Sequence, residues 1–315
     1  MIRTVMGDIP SEELGVTYSH EHLISSPPQW KAEEDPDLVI TDLDKALEEV
    51  RDFRDLGGRS LFEASAYDYG RDVEALREIS ERTGVHIIAC AGFNKGLWFD
   101  PMISDWSEEK IERHVVREVT EGIDGTNARG GVIKFGSGYN SISESEERVI
   151  RADARAHKST GAPLHGHTEA GTMGLEQLDI LEEEGVELSR VAITHVSRNP
   201  DPWYLRKMAE RGPLLCFDGL SKTKYFPESV RIDAIIRLCE LGYHDQIIIG
   251  GDLARKSDLR AYSRGPGLRF ILGSWVPRFR EELSERGFPA SKAEDIVRAI
   301  LVDNPRRYFD FVEPY

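Results

Sequence analysis

The chain has 315 residues, 30% of them charged, and its formal net charge at pH 7 is −16. This length admits one large α/β domain or two ordinary ones, and so acidic a surface repels nucleic acid and anionic membranes, so we expect neither as a partner. No apolar run reaches the length of a membrane span, no secretion signal is recognised, and Cys90, Cys216 and Cys239 lie in apolar surroundings, which predicts a cytoplasmic protein with buried free thiols.

Strand-like and helix-like patterns alternate along the chain. The first strand is the run from Leu14 to Leu23, followed by a breaker-rich loop at residues 25–31 and an acidic linker that ends at Asp42, a predicted N-cap. Later apolar runs of strand length lie at residues 59–64, 85–91, 131–135, 162–167, 191–195, 213–218 and 246–252. Helical spacing occurs at residues 43–53, 73–84, 107–119, 143–156, 173–181, 203–209, 227–241 and 294–301, and residues 254–274 are interpreted as a long basic loop.

Counted with the opening strand, the alternation has about eight units, the number that closes a parallel (β/α)8 TIM barrel. A doubly wound open sheet is the alternative, because periodicity does not detect closure. No linker divides the chain, so we expect a single domain over residues 1–315.

The polar residues at the ends of these strands form a selective set. In a parallel barrel the carboxyl ends of the strands meet at one mouth, so residues there converge. His20 and His22 are two apart and should face the same side. The others are Lys134, His165, His167, His195 and Asp252. Each one alone has an ordinary structural explanation, but together they indicate a site.

Imidazoles and a carboxylate are the ligands that divalent first-row metals prefer, and a catalytic site keeps a position open for water. Lys134 is the unusual member, because an ammonium repels cations. It is either a charge that binds substrate or a lysine converted by carbon dioxide into an anionic carbamate.

The order of these residues and their local motifs resemble the phosphotriesterase-related branch of the amidohydrolase superfamily. The motifs are Tyr18-Ser-His-Glu-His22, Gly166-His167-Thr168, Thr194-His195 and Gly250-Gly-Asp252, supported by residues 121–126, 172–177 and 185–190. The resemblance implies two divalent ions per chain, zinc first with manganese or cobalt also suitable. One ion would be held by His20, His22 and Asp252 and the other by His167 and His195, bridged by carbamylated Lys134 (N6-carboxylysine) and a hydroxide.

The resemblance also implies a mechanism, in which the bridging hydroxide attacks a carbonyl or phosphoryl group and Asp252 carries the proton to the leaving group. His165 is outside the family pattern, and we expect it to hydrogen-bond within the barrel. Glu21 should face away from the metals and support the residues around them. No Gly-x-Ser-x-Gly or Walker motif is present.

The loops after the strands carry the specificity. Candidate substrate-binding residues are Trp30, Tyr139, Lys224 and Arg255. The last two loops are similar to those of the subgroup that hydrolyses phosphorylated sugar lactones. In that subgroup a lysine and an arginine at the positions of Lys224 and Arg255 hold the phosphate. Ser26 and Asp258 depart from that pattern, where an arginine and a tyrosine are expected.

The leading hypothesis is a lactonase that acts on an anionic or sugar lactone, with or without a phosphate. The alternatives are the same machinery acting on another carboxylic ester, an N-acyl amide or an organophosphate triester, and a binding protein on an inactive barrel. We expect a small-molecule substrate, anionic in character, and a homodimer as the commonest oligomer.

Overall fold

The computed structural model describes all of residues 1–315. An antiparallel hairpin, β1 (Ile2–Thr4) and β2 (Gly7–Ile9), precedes a sheet of eight strands. The eight are β3 (Thr17–Glu21), β4 (Ser60–Glu63), β5 (His86–Gly92), β6 (Val132–Ser137), β7 (Leu164–Thr168), β8 (Val191–Ile193), β9 (Leu214–Phe217) and β10 (Ile247–Ile249). They confirm the predicted (β/α)8 barrel.

The eight strands are hydrogen-bonded in chain order from β3 to β10, and every neighbouring pair is parallel. The last strand then returns to the first: the Asp252 amide donates to the His20 carbonyl at 3.0 Å. Gly250 allows this approach, since a Cβ there would lie 2.6 Å from the His20 carbonyl oxygen. The open-sheet alternative is therefore excluded.

The helices surround the barrel. In chain order they are α1 (Gln29–Glu34), α2 (Leu43–Asp55), α3 (Val73–Thr83), α4 (Gly96–Ile103), α5 (Glu108–Thr120), α6 (Glu144–Thr160), α7 (Gly174–Glu183), α8 (Pro202–Ala209), α9 (Glu228–Glu240), α10 (Val276–Glu285), α11 (Ala290–Arg298) and α12 (Asn304–Phe309). Asp42 caps α2 as predicted, and Ser143 with Glu146 forms a capping box on α6. No helix combines the length and the apolar character that a membrane crossing requires.

Two loop predictions were wrong at their edges. The segment predicted as a breaker-rich loop contains the start of α1, and the predicted basic loop ends early, because the chain is already helical at Arg269. A contact with Tyr18 of β3 explains why the basic loop ends before residue 274. The buried Tyr18 hydroxyl donates to the Leu268 carbonyl at 3.1 Å and accepts from the Leu272 amide at 3.0 Å, which holds this helical turn against the core.

The apolar core has two main parts, and a third cluster consists of Leu38, Tyr69 and Trp98. A large cluster lies between the sheet and the helices, and a smaller one fills the barrel interior. On β5 the alternation is visible: Ile87 belongs to the outer cluster, and Ile88 and Cys90 belong to the inner one. Tyr308 and Phe309 of α12 complete the inner cluster, so the polar site sits above a sealed floor. All three cysteines are free and buried, as predicted.

We expect Gly250→Ala to lower the free energy of unfolding by about 1–3 kcal/mol, the usual cost of overpacking. Gly273→Ala is the control, because a Cβ at that exposed helical position meets only Leu56 Cδ1 at 3.4 Å. It should leave stability unchanged or raise it by up to about 1 kcal/mol. Urea denaturation of the metal-stripped proteins, followed by circular dichroism, measures both. Equal unfolding midpoints for Gly250→Ala and the natural chain would contradict a close contact between Gly250 and the His20 carbonyl.

Candidate metal centre

The predicted ligands converge on one cavity of about 260 Å³ at the carboxyl ends of the strands. All six of them line it: His20, His22, Lys134, His167, His195 and Asp252. Each of the six side chains is buried. Burial lowers the pKa of all four imidazoles, which keeps them neutral, the form that binds a metal.

His20, His22 and Asp252 form the first group. His20 Nε2 lies 3.6 Å and His22 Nε2 lies 3.5 Å from the same oxygen, Asp252 Oδ1. The ligand atoms of the three residues all lie within 4.8 Å of one another. The structure therefore brings together the three residues that the resemblance assigns to one metal.

A buried chain of hydrogen bonds fixes the proton of His20. The Tyr308 hydroxyl donates to the Leu164 carbonyl at 2.8 Å, so its oxygen accepts from His165 Nδ1 at 3.0 Å. His165 Nε2 must then accept from His20 Nδ1, 2.9 Å away. His20 Nε2 is left as a bare acceptor, buried and without a hydrogen-bond partner. His165 hydrogen-bonds within the barrel, as the sequence predicted.

Glu63 and Ser65 fix the position of the ring proton of His22 in a similar way. The Ser65 hydroxyl donates to Glu63 Oε1 at 2.7 Å, which leaves its oxygen to accept from His22 Nδ1 at 2.8 Å. The Nε2 atom of His22 is consequently the acceptor that faces Asp252. Burial raises the pKa of Glu63 to about 7. Sequence analysis missed this pair, although Glu63 is the last residue of β4 and is a carboxylate at a strand end.

His167 and His195 form the second group, with His195 Nε2 at 2.9 Å from His167 Nδ1. Asp218 accepts from His195 Nδ1 at 2.7 Å and from its amide at 2.9 Å. Glu169 lies 3.3 Å from His167 Nε2 and accepts from it. The two remaining ring nitrogens are both acceptors and face each other, an arrangement that a cation would satisfy.

Lys134 enters the cavity from β6 with 1% of its surface exposed. Its ammonium donates to the Ala64 carbonyl at 2.7 Å and forms no salt bridge, although its charge acts at longer range on the buried carboxyls of Glu63 and Asp68. A buried ammonium without a counter-ion is unfavourable, and it lies among neutral imidazoles.

Two basic residues hold Asp252, and sequence analysis missed their contact. Arg198 Nη2 lies 2.5 Å and Lys222 Nζ 2.8 Å from Asp252 Oδ2. Burial alone would raise the pKa of Asp252, but these two cations outweigh it and hold the pKa well below its ordinary range. Behind them, Glu21 accepts from the Gly251 amide at 2.5 Å. This agrees with the supporting place predicted for Glu21.

The backbone at two of these residues is left-handed. His195 has φ of 60° and Asp252 has φ of 47°, an unfavourable conformation for residues that carry a Cβ. Such strain concentrates at functional sites, where surrounding contacts impose it. Here the contacts are the hydrogen bonds from the two amides to Asp218 and to the His20 carbonyl.

The predicted substrate residues divide into two pairs. Lys224 and Arg255 line the cavity, whereas Trp30 and Tyr139 are exposed and lie outside its lining. Trp30 packs near Trp98, which does line it, with ring centroids 6.4 Å apart.

The donor set fits two divalent cations. His20, His22, His167 and His195 each direct a bare nitrogen into the cavity, and one carboxylate accompanies the first pair. Neutral imidazole and carboxylate suit zinc, manganese and cobalt. When bound, such ions lower the pKa of water and polarise a carbonyl oxygen.

Comparisons with known proteins agree with this geometry. The model of the Phosphotriesterase family matches residues 1–309. A phospho-furanose lactonase of Mycoplasmopsis synoviae (strain 53) is 33% identical, over 99% of this chain and 92% of that protein. An N-acetyltaurine hydrolase of Tetraodon nigroviridis is 31% identical, over 98% of each chain. The crystal structure of a lactonase from Listeria monocytogenes superposes with a TM-score of 0.95 at 44% identity, over 99% of each chain.

We expect Ser65→Ala to weaken metal binding by roughly 10- to 100-fold, because His22 loses the partner that fixes its tautomer and ring orientation. Ser19→Ala is the matched control. Ser19 is equally buried beside His20, but its hydroxyl has no hydrogen-bond partner. Competition with a chelator measures both affinities. Equal losses in the two variants would show that the Ser65 contact does not orient His22.

Proposed function

The chain belongs to the phosphotriesterase family and is a hydrolase of the lactonase/esterase type, and from this premise we propose that it is a binuclear metal-dependent lactonase for an anionic or sugar lactone. The observation that carries the proposal is the charge of the cavity. Seven of its lining residues are basic: Lys31, Lys95, Lys134, Arg198, Lys222, Lys224 and Arg255. Six of them remain cationic if Lys134 carries the carbamate proposed below. Only Glu169 and Asp252 are acidic there. In a protein of net charge −16, this is a local field that attracts an anion.

We assign one ion to His20, His22 and Asp252 and the other to His167 and His195, with zinc as the first choice and manganese or cobalt as suitable replacements. The bare ring nitrogens support this assignment. We further propose that Lys134 carries a carbamate. That modification would replace a buried, uncompensated ammonium with an anionic ligand, which resolves its unfavourable position.

Asp252 is proposed as the group that accepts a proton from the attacking water and returns it to the ring oxygen as the lactone opens. The contacts from Arg198 and Lys222 hold the Asp252 carboxylate in place and keep it ionised, and they also lower its basicity. Lys224 and Arg255 are proposed to face the polar end of the substrate, since both line the cavity. The site needs no serine or cysteine nucleophile.

An N-acyl amide is the second candidate substrate. It is favoured by the relative named N-acetyltaurine hydrolase, which matches over 98% of this chain. Amide and lactone hydrolysis both require attack on a carbonyl carbon, so the same residues serve either one. We propose a free small molecule as the substrate, the cytoplasm as the location and a homodimer as the assembly.

A substrate panel tests the proposal. The purified enzyme, loaded with zinc in bicarbonate, is offered sugar lactones, carboxylated lactones, N-acetyltaurine and an aryl phosphotriester. We expect lactones to give the highest kcat/KM, measured with a pH indicator, and a chelator to abolish turnover. Turnover of the amide or the triester without any lactone opening would overturn the lactonase assignment. Fewer than one divalent ion per chain after loading would favour an inactive binding protein.

Carbamylation has its own test. We expect the metal-free protein to take up two zinc ions in bicarbonate and fewer in buffer free of carbon dioxide. Lys134→Glu, which supplies a carboxylate directly, should take up zinc equally in both. Lys134→Ala should lose at least about 10³-fold in kcat/KM, a loss of several kcal/mol of transition-state stabilisation. Identical uptake by the natural chain in both buffers would remove the carbamate from the scheme.

A further inference from the structure

A strap borders the cavity, and its Lys31 and Leu38 are part of the lining. We use this name for residues 29–38, which comprise α1 and the turn Pro36–Leu38. It lies against the segment that follows β10. Asp37 accepts from the Ser257 amide at 2.9 Å and from its hydroxyl at 2.5 Å, and Lys256 Nζ donates to the Pro36 carbonyl at 3.3 Å. The strap is thereby fixed next to Arg255.

Within the strap, Asp35 binds Arg255 in the two-point geometry that a guanidinium offers to an oxyanion. Arg255 Nη1 donates to Asp35 Oδ1 at 3.0 Å, and Arg255 Nη2 lies 2.6 Å from Oδ2. The hydrogen bond from Arg255 lowers the pKa of Asp35, so Asp35 is ionised at neutral pH. Asp37 adds a second carboxylate 3.7 Å from Arg255. The guanidinium is therefore already occupied by an anion of this chain.

Most of the basic residues that line the cavity are paired with carboxylates. Five of the seven lining cations have a carboxylate within 4.0 Å: Lys31 with Glu34, Lys95 with Glu169, Arg198 with Asp252, Lys222 with Asp252 and Asp258, and Arg255 with Asp35. Lys134 and Lys224 have none. Lys134 is buried at the floor, so Lys224, which is exposed, is the one uncompensated cation at the mouth.

We propose that Asp35 is a specificity-determining residue that acts as a built-in counter-ion for Arg255 and excludes a phosphate dianion from the mouth. The substrate is then a lactone with at most one negative charge at this end, such as a carboxylate that pairs with Lys224, or an uncharged sugar lactone. This inference rests on the proposed lactonase function and narrows its substrate class. It separates this chain from the relative named phospho-furanose lactonase.

The physical argument is one of competition. A phosphate ester that sought Arg255 would have to displace the Asp35 carboxylate or lie beside it as a like charge. Asp258 adds a further negative charge beside Lys222, since its Oδ2 lies 3.5 Å from Lys222 Nζ. Lys224 differs from Arg255 and Lys222, because it forms no salt bridge: its ammonium lies 5.0 Å from the centre of the Tyr225 ring, and Asp258 acts on it only at longer range.

The test is a change of specificity on removal of one charge. We expect Asp35→Asn, which keeps the shape of the side chain, to raise kcat/KM for a 5-phosphorylated sugar lactone by about tenfold or more. The value for the unphosphorylated lactone should stay within about twofold. Glu33→Gln is the matched control, because it removes one charge from the same strap, and Glu33 contacts only Gln29. It should change neither value.

Adding Arg255→Gln to Asp35→Asn should cancel the gain, which shows that the gain acts through the guanidinium. A second measurement needs no turnover: the affinity of the zinc-loaded proteins for inorganic phosphate, by calorimetry, should rise about tenfold in Asp35→Asn and not in Glu33→Gln. Unchanged phosphate affinity, or a natural enzyme that prefers the phosphorylated lactone, would overturn the role of Asp35. Absence of all lactone turnover, by contrast, would defeat the proposed function while the phosphate measurement still decides this inference.

Discussion

The site depends on one constraint: a buried imidazole must donate from one ring nitrogen to a protein acceptor if its other ring nitrogen is to be free to bind a metal. Tyr308 and His165 meet this need for His20, Glu63 and Ser65 for His22, and Asp218 for His195. Burial keeps the rings neutral, and each partner chooses the tautomer. The bare nitrogens then point into one cavity because the parallel barrel gathers the carboxyl ends of its strands.

The fold and the convergence of the proposed ligands on one cavity were predictable because both follow short-range rules. Strand length, helical spacing and the convergence of strand ends placed His20, His22 and Asp252 together without any tertiary information. The supporting contacts were not predictable. Arg198 reaches Asp252 across 54 positions and Asp35 reaches Arg255 across 220, through loops whose course no local pattern encodes. The left-handed backbone at His195 and Asp252 was equally hidden, because this conformation is uncommon for every residue except glycine, including the histidines and aspartates that adopt it more often than most.

The same cavity shows how a protein of net charge −16 manages a cationic pocket. The chain places basic residues around the mouth and compensates most of them with carboxylates from neighbouring loops. Such pairing lets the basic side chains remain ordered before substrate arrives, and it limits how much further negative charge the pocket attracts. The arrangement of the pairs, more than the number of cations, therefore sets which anions the site can distinguish.

Tyr308 has a consequence for the order in which this protein can be made. It lies on α12, after all eight barrel strands, yet it begins the hydrogen-bond chain that ends at His20 on the first of them. The ribosome releases β3 before α12. A nascent chain thus lacks the residue that fixes the proton of His20 until α12 has been synthesised, so this hydrogen-bond chain can form only after all eight barrel strands have been made.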